Sequence, residues 1–133
     1  MSGGSWAKYR VAVAIYFVSG HLDLTETEFA EHYEPKIVEA IASGAAFVVG
    51  DARGCDALTQ ALLSRLGCPH VRVFHMLEAP RHNVGRFELV GGFKNDRERD
   101  EAMTAASDSD VAWVRSGRET SGTAKNLARR GPR

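Results

Sequence analysis

The stretch VVGDARGCDALTQALL, residues 48–63, decides the fold. An apolar run stops at Gly50, a short loop carries two opposite charges and a second glycine at Gly54, and apolar residues then recur at helical spacing. This change of pattern is typical of a buried strand that passes into a helix through a tight turn. It predicts a strand over 45–50 and a helix over 55–67.

The rest of the chain alternates between the same two patterns. Strands are predicted over 10–18, 45–50, 70–76 and 110–115, and helices over 25–44, 55–67, 95–109 and the later part of 116–130. Pro35 predicts a kink or a break within the first helix, because proline removes a hydrogen bond from a helix interior. The segment 77–94 is rich in glycine and proline, and we expect a long loop there that lies over the ligand site.

Strands that alternate with helices indicate a parallel sheet with helices packed on its faces. We therefore predict an α/β protein, a three-layer Rossmann-like sandwich with a parallel sheet of four to five strands and helices on both faces. A single domain is expected over 10–130, between a flexible N-terminus (1–9) and a tail (131–133). Ligands of such sheets bind at the carboxyl ends of the strands, so the residues that follow each strand are the candidates for a site.

Composition narrows the class of partner. The 133 residues are 44% hydrophobic and 26% charged, and Lys plus Arg equals Asp plus Glu at 17 each, so no overall field attracts nucleic acid or a membrane surface. We expect neither as a partner. The two cysteines, Cys55 and Cys68, form no metal-binding motif, and they indicate free thiols in a reduced cytoplasmic protein. No metal and no cofactor is predicted.

The loop after the strand at 45–50 has the features of a phosphate site. Gly50 and Gly54 can adopt positive φ and bring the backbone close to a ligand, and the helix that follows points its amides at an anion. Asp56 can cap that helix, and Asp51 and Arg53 can contact a sugar or pair with each other. The alternative is a tight turn with a helix cap and no ligand.

Two further loops repeat this logic. SGRETSGTAKNL, residues 116–127, places Gly122 and Thr123 at the start of the last helix, where hydroxyl and amide groups form a second anion cradle or a simple N-cap. Ser19, Gly20 and His21 follow the first strand and offer a third set of amides. The His21 side chain is either a ligand contact or a hydrogen-bonded loop residue, and the second interpretation is favoured.

Arg99 lies near the start of the helix at 95–109, where the helix dipole disfavours a cation. A bound anion would offset that cost. The alternative is an exposed charged face, since NDRERDE alternates in sign.

Three motifs in this order resemble the SLOG superfamily of Rossmann-like nucleotide-binding domains, and most closely its small stand-alone bacterial members. They are GDARGCD, RDEAMTAASDSDVAWV and SGTAKNLARR, and the resemblance covers residues 10 to 130. It implies that the chain binds a nucleotide or a nucleotide-derived metabolite at the carboxyl edge of the sheet. It also implies association through helices, so we expect a homodimer.

The resemblance extends to the lonely-guy phosphoribohydrolases of that superfamily, which cleave an N-glycosidic bond with an arginine and a glutamate. The arginine corresponds to Arg99, but the position of the glutamate holds Asn126, and the Pro-Gly-Gly before the family's loop is missing. A hydrolase acting on nucleoside monophosphates, N-glycosidase or deoxyribosyltransferase-like, is therefore an alternative in which Asp51 or Glu119 replaces the glutamate. A protein-interaction or regulatory domain is a further alternative.

The candidate catalytic residues are Arg99, Asp51 and Glu119. The candidate ligand- and phosphate-binding residues are Ser19, Gly20, His21, Gly50, Asp51, Arg53, Gly54, Asp56, Arg99, Gly122 and Thr123.

Overall fold

The computed structural model describes residues 13–131, which form five strands and five helices. In chain order they are β1 (Ile15–Ser19), α1 (Glu26–His32), α2 (Glu34–Ala42), β2 (Ala46–Gly50), α3 (Cys55–Arg65), β3 (Val71–Met76), β4 (Glu88–Phe93), α4 (Asp96–Ala105), β5 (Ser109–Ala112) and α5 (Gly122–Arg130). The α/β class is confirmed.

The five strands form one parallel sheet in the order β4-β3-β2-β1-β5. Phe17 of β1 lies beside Val48 of β2 on one side and beside Asp110 of β5 on the other. The chain leaves β1 towards β2 and returns at the end to the opposite side of β1, so the strand order reverses between β1 and β5. Sheets of this kind open a crevice at the carboxyl ends of such a strand pair.

Side chains alternate between the two faces of the sheet, and each face has its own apolar core. Val18, Phe47 and Val49 pack with residues of α1, α2 and α3 on one face, while Phe17 and Val48 pack with Met103 of α4 on the other. Helices therefore cover both faces, as the three-layer prediction requires. Every residue of β2 is buried, which explains why its sequence is an unbroken apolar run.

The predicted helix over 25–44 is broken near Pro35, as expected. The first helix, α1, ends at His32, and α2 begins at Glu34 with proline in its first turn. Thr25 and Glu28 form the capping box of α1, with hydrogen bonds of 3.1 and 3.0 Å to each other's backbone amides.

The prediction of a continuous loop over 77–94 was wrong, because β4 occupies Glu88–Phe93. Its sequence, ELVGGF, hides the strand, since glycine is depleted in strands and most of β4 is exposed. Gly91 is needed here because a Cβ atom would overlap the imidazole of His75 on β3.

Smaller differences concern the ends of elements. The helix predicted over 95–109 ends at Ala105, and the strand predicted over 110–115 runs from Ser109 to Ala112. The first strand begins at Ile15 within the described residues, and residues 10–12 of its predicted range lie outside them, as do 1–9 and 132–133 of the predicted termini.

The buried hydroxyl of Tyr33 links the two strands that frame the crevice. It donates a hydrogen bond to the carbonyl of Ser19 (2.8 Å) and accepts one from the amide of Trp113 (2.9 Å). Burial raises the pKa of Tyr33 far above its ordinary value, so the hydroxyl stays protonated. The carboxyl ends of β1 and β5 are thereby held at a fixed separation.

We expect Tyr33→Phe to lower the free energy of unfolding by about 1–3 kcal/mol, because the partly buried Trp113 amide and the buried Ser19 carbonyl both lose a hydrogen-bond partner. Urea denaturation followed by circular dichroism measures the loss. Tyr16→Phe on β1 is the matched control, since its hydroxyl has no hydrogen bond within the described chain. Equal losses in the two variants would contradict a bridging role for Tyr33.

Candidate functional site

A cleft of about 250 Å³ opens at the carboxyl ends of the central strands, next to the crevice between β1 and β5. Four chain segments form its walls: the end of β1 and the turn after it, the first turn of α3, one side of α4, and the start of α5 with the loop before it. The sheet topology therefore brings together residues that lie far apart in the sequence.

One wall is built from the N-terminus of α5. The Ser121 hydroxyl caps the helix by accepting a hydrogen bond from the amide of Ala124 (3.2 Å). Gly122 and Thr123 line the cleft in the first turn, where backbone amides have no acceptor within the helix. Together with the helix dipole, this arrangement favours an anion.

Ser19 supplies an unsatisfied polar group at the same cleft. The residue is only 6% exposed, it lines the cleft, and its Oγ has no hydrogen-bond partner within the described chain. A buried hydroxyl without a partner costs about 1–3 kcal/mol, and such groups are rare in native proteins. A bound molecule that reaches Ser19 would remove this cost.

The α4 wall of the cleft is acidic, in contrast to the hydrogen-bond donors at α5. Here Arg99 is surrounded by acidic side chains. Its guanidinium donates to Asp51 (2.7 Å) and Asp100 (3.0 Å), lies 3.2 Å from Asp96, and lies 4.0 Å from Asp56. Arg99 is buried, and the carboxylates raise its pKa against the opposing effect of burial. Its charge is thus neutralised by the protein itself.

Asp51 is part of this ion-pair network and does not line the cleft. Arg81 donates to it from its backbone amide (2.8 Å) and from its guanidinium (2.8 and 3.1 Å), and Arg99 adds a further hydrogen bond. Burial alone would raise the pKa of Asp51, but these hydrogen bonds and charges outweigh it and lower the pKa to about 2. Asp51 is therefore an ionised structural residue.

Asp56 is the buried carboxyl that the structure places on the cleft wall. Its hydrogen bond comes from the amide of Ala52 (3.0 Å). Burial raises the pKa of Asp56 to about 7, the Arg99 charge lowers it only partly, and the nearby carboxylates of Asp100 and Asp51 raise it further. Groups with such shifts in a cleft are candidates for a role in binding or proton transfer.

Asn126, at the position where the resemblance places a glutamate, joins two helices. Its amide nitrogen donates to Asp100 on α4 (3.1 Å), and its oxygen accepts from Arg129 (2.5 Å). Both ends of the side chain are used, and Asn126 is buried at the cleft. It fixes α5 against α4 and cannot act as a carboxylate.

His21 lines the cleft and also holds two loops together. Its Nε2 accepts a hydrogen bond from the amide of Arg115 (2.9 Å), and its carbonyl accepts from the amides of Leu24 and Cys55 (both 3.2 Å). Burial lowers the pKa of His21, as do the charges of Arg118 and Arg115. The imidazole is thus neutral, with its proton on Nδ1.

The cleft brings together seven of the predicted residues and leaves out five. Lining it are Ser19, Gly20, His21, Asp56, Arg99, Gly122 and Thr123; outside it are Gly50, Asp51, Arg53, Gly54 and Glu119. Both carboxylates proposed for the hydrolase alternative are in the second group. Glu119 is exposed and accepts a hydrogen bond from the amide of Gly117 (3.0 Å), which stabilises its own loop.

The two glycines of the β2–α3 turn allow close packing of protein groups. Gly54 has a φ of +73°, as expected, whereas Gly50 does not adopt positive φ. A Cβ atom at Gly50 would overlap the side chains of Asp56 and Arg99. Arg53 is exposed. The turn thus positions the acidic network, whereas the first-turn amides that favour an anion are those of α5.

The β3–β4 loop was expected to cover the site, but none of its residues lines the cleft. Instead, Arg81 ties it to Asp51, while Gln60 of α3 donates to the carbonyl of His82 (3.0 Å) and accepts from the amide of Val84 (3.0 Å). The loop packs beside the β2–α3 turn. These contacts join residues 22 to 30 positions apart in the sequence, which no local pattern reveals.

Comparisons with known proteins add no assignment: no family model, curated protein or solved structure matches this chain.

Within residues 13–131 no cluster of three or more His, Cys, Asp or Glu side chains is arranged to hold a metal ion. No helix in the same range has the length and apolar character needed to cross a membrane.

Proposed function

We propose that this protein binds a nucleotide or a nucleotide-derived metabolite in the cleft, with a phosphate group at the N-terminus of α5. The single observation that carries the proposal is the buried, unpartnered hydroxyl of Ser19 beside a cleft that also exposes the first turn of α5. A phosphate oxygen accepts hydrogen bonds from both kinds of donor. SLOG membership, which predicts the same class of ligand, is part of this proposal.

The distribution of charged side chains around the cleft supports a ligand whose phosphate lies at α5 and not at α4. Asp96 and Asp100 lie on the α4 side of the cleft, and their negative charge disfavours a phosphate there. Arg118 lines the cleft from the loop before α5 and is 43% exposed, with Asp23 at 3.6 Å as its ion-pair partner. A surface pair of this kind is weak, so Arg118 is able to turn towards a phosphate at α5.

With the phosphate at α5, the acidic α4 wall of the cleft is suited to the sugar of the nucleotide. Asp100 and Asp96 line the cleft, and carboxylates accept hydrogen bonds from hydroxyl groups. The cleft volume of about 250 Å³ is below the usual range of about 300–1,000 Å³ for ligand pockets. It therefore encloses a sugar phosphate, with the remaining part of the ligand at the rim.

The first test is thermal unfolding with AMP, CMP, NAD or ADP-ribose at millimolar concentration. A ligand that binds only the folded state stabilises it by about 2.7 kcal/mol at a hundredfold excess over its dissociation constant. We expect at least one of the four to raise the melting temperature. No shift with any of them would contradict the proposed function.

Gly122→Val tests the position of the phosphate. No described atom lies within 4 Å of a Cβ built at Gly122, so the variant is expected to fold while its side chain fills the cleft next to the first-turn amides. We expect a loss of affinity of at least tenfold for any nucleotide that stabilises the wild type, measured by isothermal titration calorimetry.

Lys125→Val is the matched control. Lys125 is an exposed residue of the same helix and does not line the cleft, so this variant introduces the same side chain without entering the site. Its affinity should equal that of the wild type. Unchanged affinity in Gly122→Val would show that the phosphate does not bind at α5.

A further inference from the structure

Asp56 differs from the other three carboxylates of the network in its contacts. Asp51, Asp96 and Asp100 each have a guanidinium nitrogen within 2.7–3.2 Å, supplied by Arg81 or Arg99. The nearest guanidinium nitrogen to Asp56 is at 4.0 Å, beyond hydrogen-bond distance. Asp56 is therefore the carboxyl with the weakest ion pairing.

The network also contains more acids than bases. Four carboxylates share the two guanidinium groups of Arg81 and Arg99, so full ionisation would leave two uncompensated negative charges. Asp51 and Asp56 are both buried, and an uncompensated buried charge is costly. A single proton on one carboxyl removes half of this excess negative charge. The proton binds most favourably to Asp56, because Asp56 has no hydrogen bond from a guanidinium group.

Among the described residues, the charged groups that act most strongly on Asp56 include no second cation. Asp51 and Asp100 act on it as negative charges, and Arg99 is the cation that acts on it. Neighbouring Tyr33 and Cys55 are kept protonated by burial, which raises the pKa of both.

Three further ionisable groups of the cleft add no positive charge next to Asp56. His21 is neutral because its Nε2 accepts a hydrogen bond from an amide. Arg118 lies at the rim with Asp23, and Asp96 is already paired with both Arg81 and Arg99. The balance of charge around Asp56 is thus negative.

Asp56 lines the cleft, and one of its two oxygens has no hydrogen bond within the described chain. Its Oδ2 accepts the amide of Ala52, and no hydrogen bond within the described chain reaches Oδ1. Gly50 lets the carboxyl pack against Arg99, since a Cβ atom there would overlap both side chains. We propose that Asp56 carries a proton on Oδ1 in the folded protein and donates it to an uncharged oxygen or nitrogen acceptor of the bound ligand. This inference rests on the proposed function.

The chemistry of the wall defines the ligand group that Asp56 contacts. A phosphate oxygen at this position would face the carboxylates of Asp96 and Asp100, whereas a sugar oxygen or a base carbonyl carries no charge. A neutral carboxyl group offers a donor and an acceptor together, and an asparagine side chain reproduces both. Asp56→Asn is therefore the conservative variant, and Asp56→Leu is the variant that removes the hydrogen bond.

The proton is tested on the protein without ligand. Carbon-13 NMR of aspartate-labelled protein follows each carboxyl during a pH titration, and the resonance that disappears in Asp56→Asn identifies Asp56. We expect a midpoint near pH 7. A midpoint below pH 5 would overturn the inference, whether or not any nucleotide binds.

The donation is tested by the pH dependence of binding for NAD and ADP-ribose. Wild-type affinity should fall about tenfold per pH unit above the Asp56 midpoint, because ionisation removes the donor. Asp56→Asn should bind with an affinity that stays constant over the same pH range, and Asp56→Leu should bind at least tenfold more weakly than Asp56→Asn. A pH-independent wild type, or equal affinity in Asp56→Asn and Asp56→Leu, would overturn the donation.

The two hypotheses fail in different experiments. If none of AMP, CMP, NAD and ADP-ribose binds at any pH, the proposed function and the donation fail together, while the titration still decides whether Asp56 holds a proton. If a nucleotide binds with the same pH dependence in wild type and Asp56→Asn, the proposed function stands and the role of Asp56 fails.

Discussion

Asp51→Ala is expected to lower the free energy of unfolding by about 3–5 kcal/mol, the usual cost of removing one partner from a buried ion pair. Asp51 is 1% exposed and accepts four hydrogen bonds from Arg81 and Arg99. The variant leaves the backbone amide and Nε of Arg81 without an acceptor, and it removes the side chain that ties the β3–β4 loop to the β2–α3 turn. Urea denaturation measures the loss.

Asp96→Ala is the matched control for this prediction. Asp96 pairs with the same two arginines, at 2.9 and 3.2 Å, but its side chain is 57% exposed. Exposed pairs contribute about 0–1 kcal/mol, so the control should remain close to the wild type. Similar losses in both variants would show that burial of Asp51 is not the source of its effect.

The same ion pairs predict how stability changes in acid. Because the pKa of Asp51 is lowered from its ordinary value to about 2 in the folded protein, the unfolded chain binds a proton at higher pH than the folded one. The contribution of Asp51 is present above about pH 4 and is lost as the pH falls towards 2. Asp51→Ala should lack this part of the acid dependence.

The fold was predictable because its signals are local. The apolar runs of β1 and β2 pack against both cores of the sheet, and the Pro35 break and the capping box of α1 depend on neighbouring residues. The edge strand β4 has exposed side chains and two glycines, Gly91 and Gly92. It is formed by pairing with β3, which no pattern within β4 indicates.

The location of the cleft was predictable from the sequence, but the ion pairs around it were not. Residues after β1 and β5 meet at the cleft because parallel strands end at one edge of the sheet. The pairing of Asp51 with Arg81 and Arg99 depends instead on side-chain packing between three separate segments. It leaves Asp56, expected to cap a helix or bind phosphate, as the buried carboxyl on the cleft wall.

Gly54→Ala is expected to lower the free energy of unfolding by about 3 kcal/mol, the combined cost of positive φ and of overpacking. Gly54 has φ +73° and ψ −125° at the start of α3. A Cβ atom there would lie 2.5 Å from the carbonyl oxygen of His21 and 2.5 Å from the carbonyl carbon of Leu22. Both are backbone atoms, so no side-chain rotation relieves the overlap. Urea denaturation followed by circular dichroism measures the change.

Gly67→Ala separates the two costs. Gly67 also has positive φ, +68°, and no described atom lies within 4 Å of a Cβ built there, so this variant carries a positive-φ cost without the overlap and should lose about 1–2 kcal/mol. Equal losses at Gly54 and Gly67 would show that the contact with the β1–α1 turn is unimportant.

A larger loss at Gly54 has a functional consequence, because the carbonyl of His21 accepts the amide of Cys55 and the ring of His21 accepts the amide of Arg115. Displacing this turn shifts one wall of the cleft, so Gly54→Ala should also weaken any nucleotide binding that Gly67→Ala leaves unchanged.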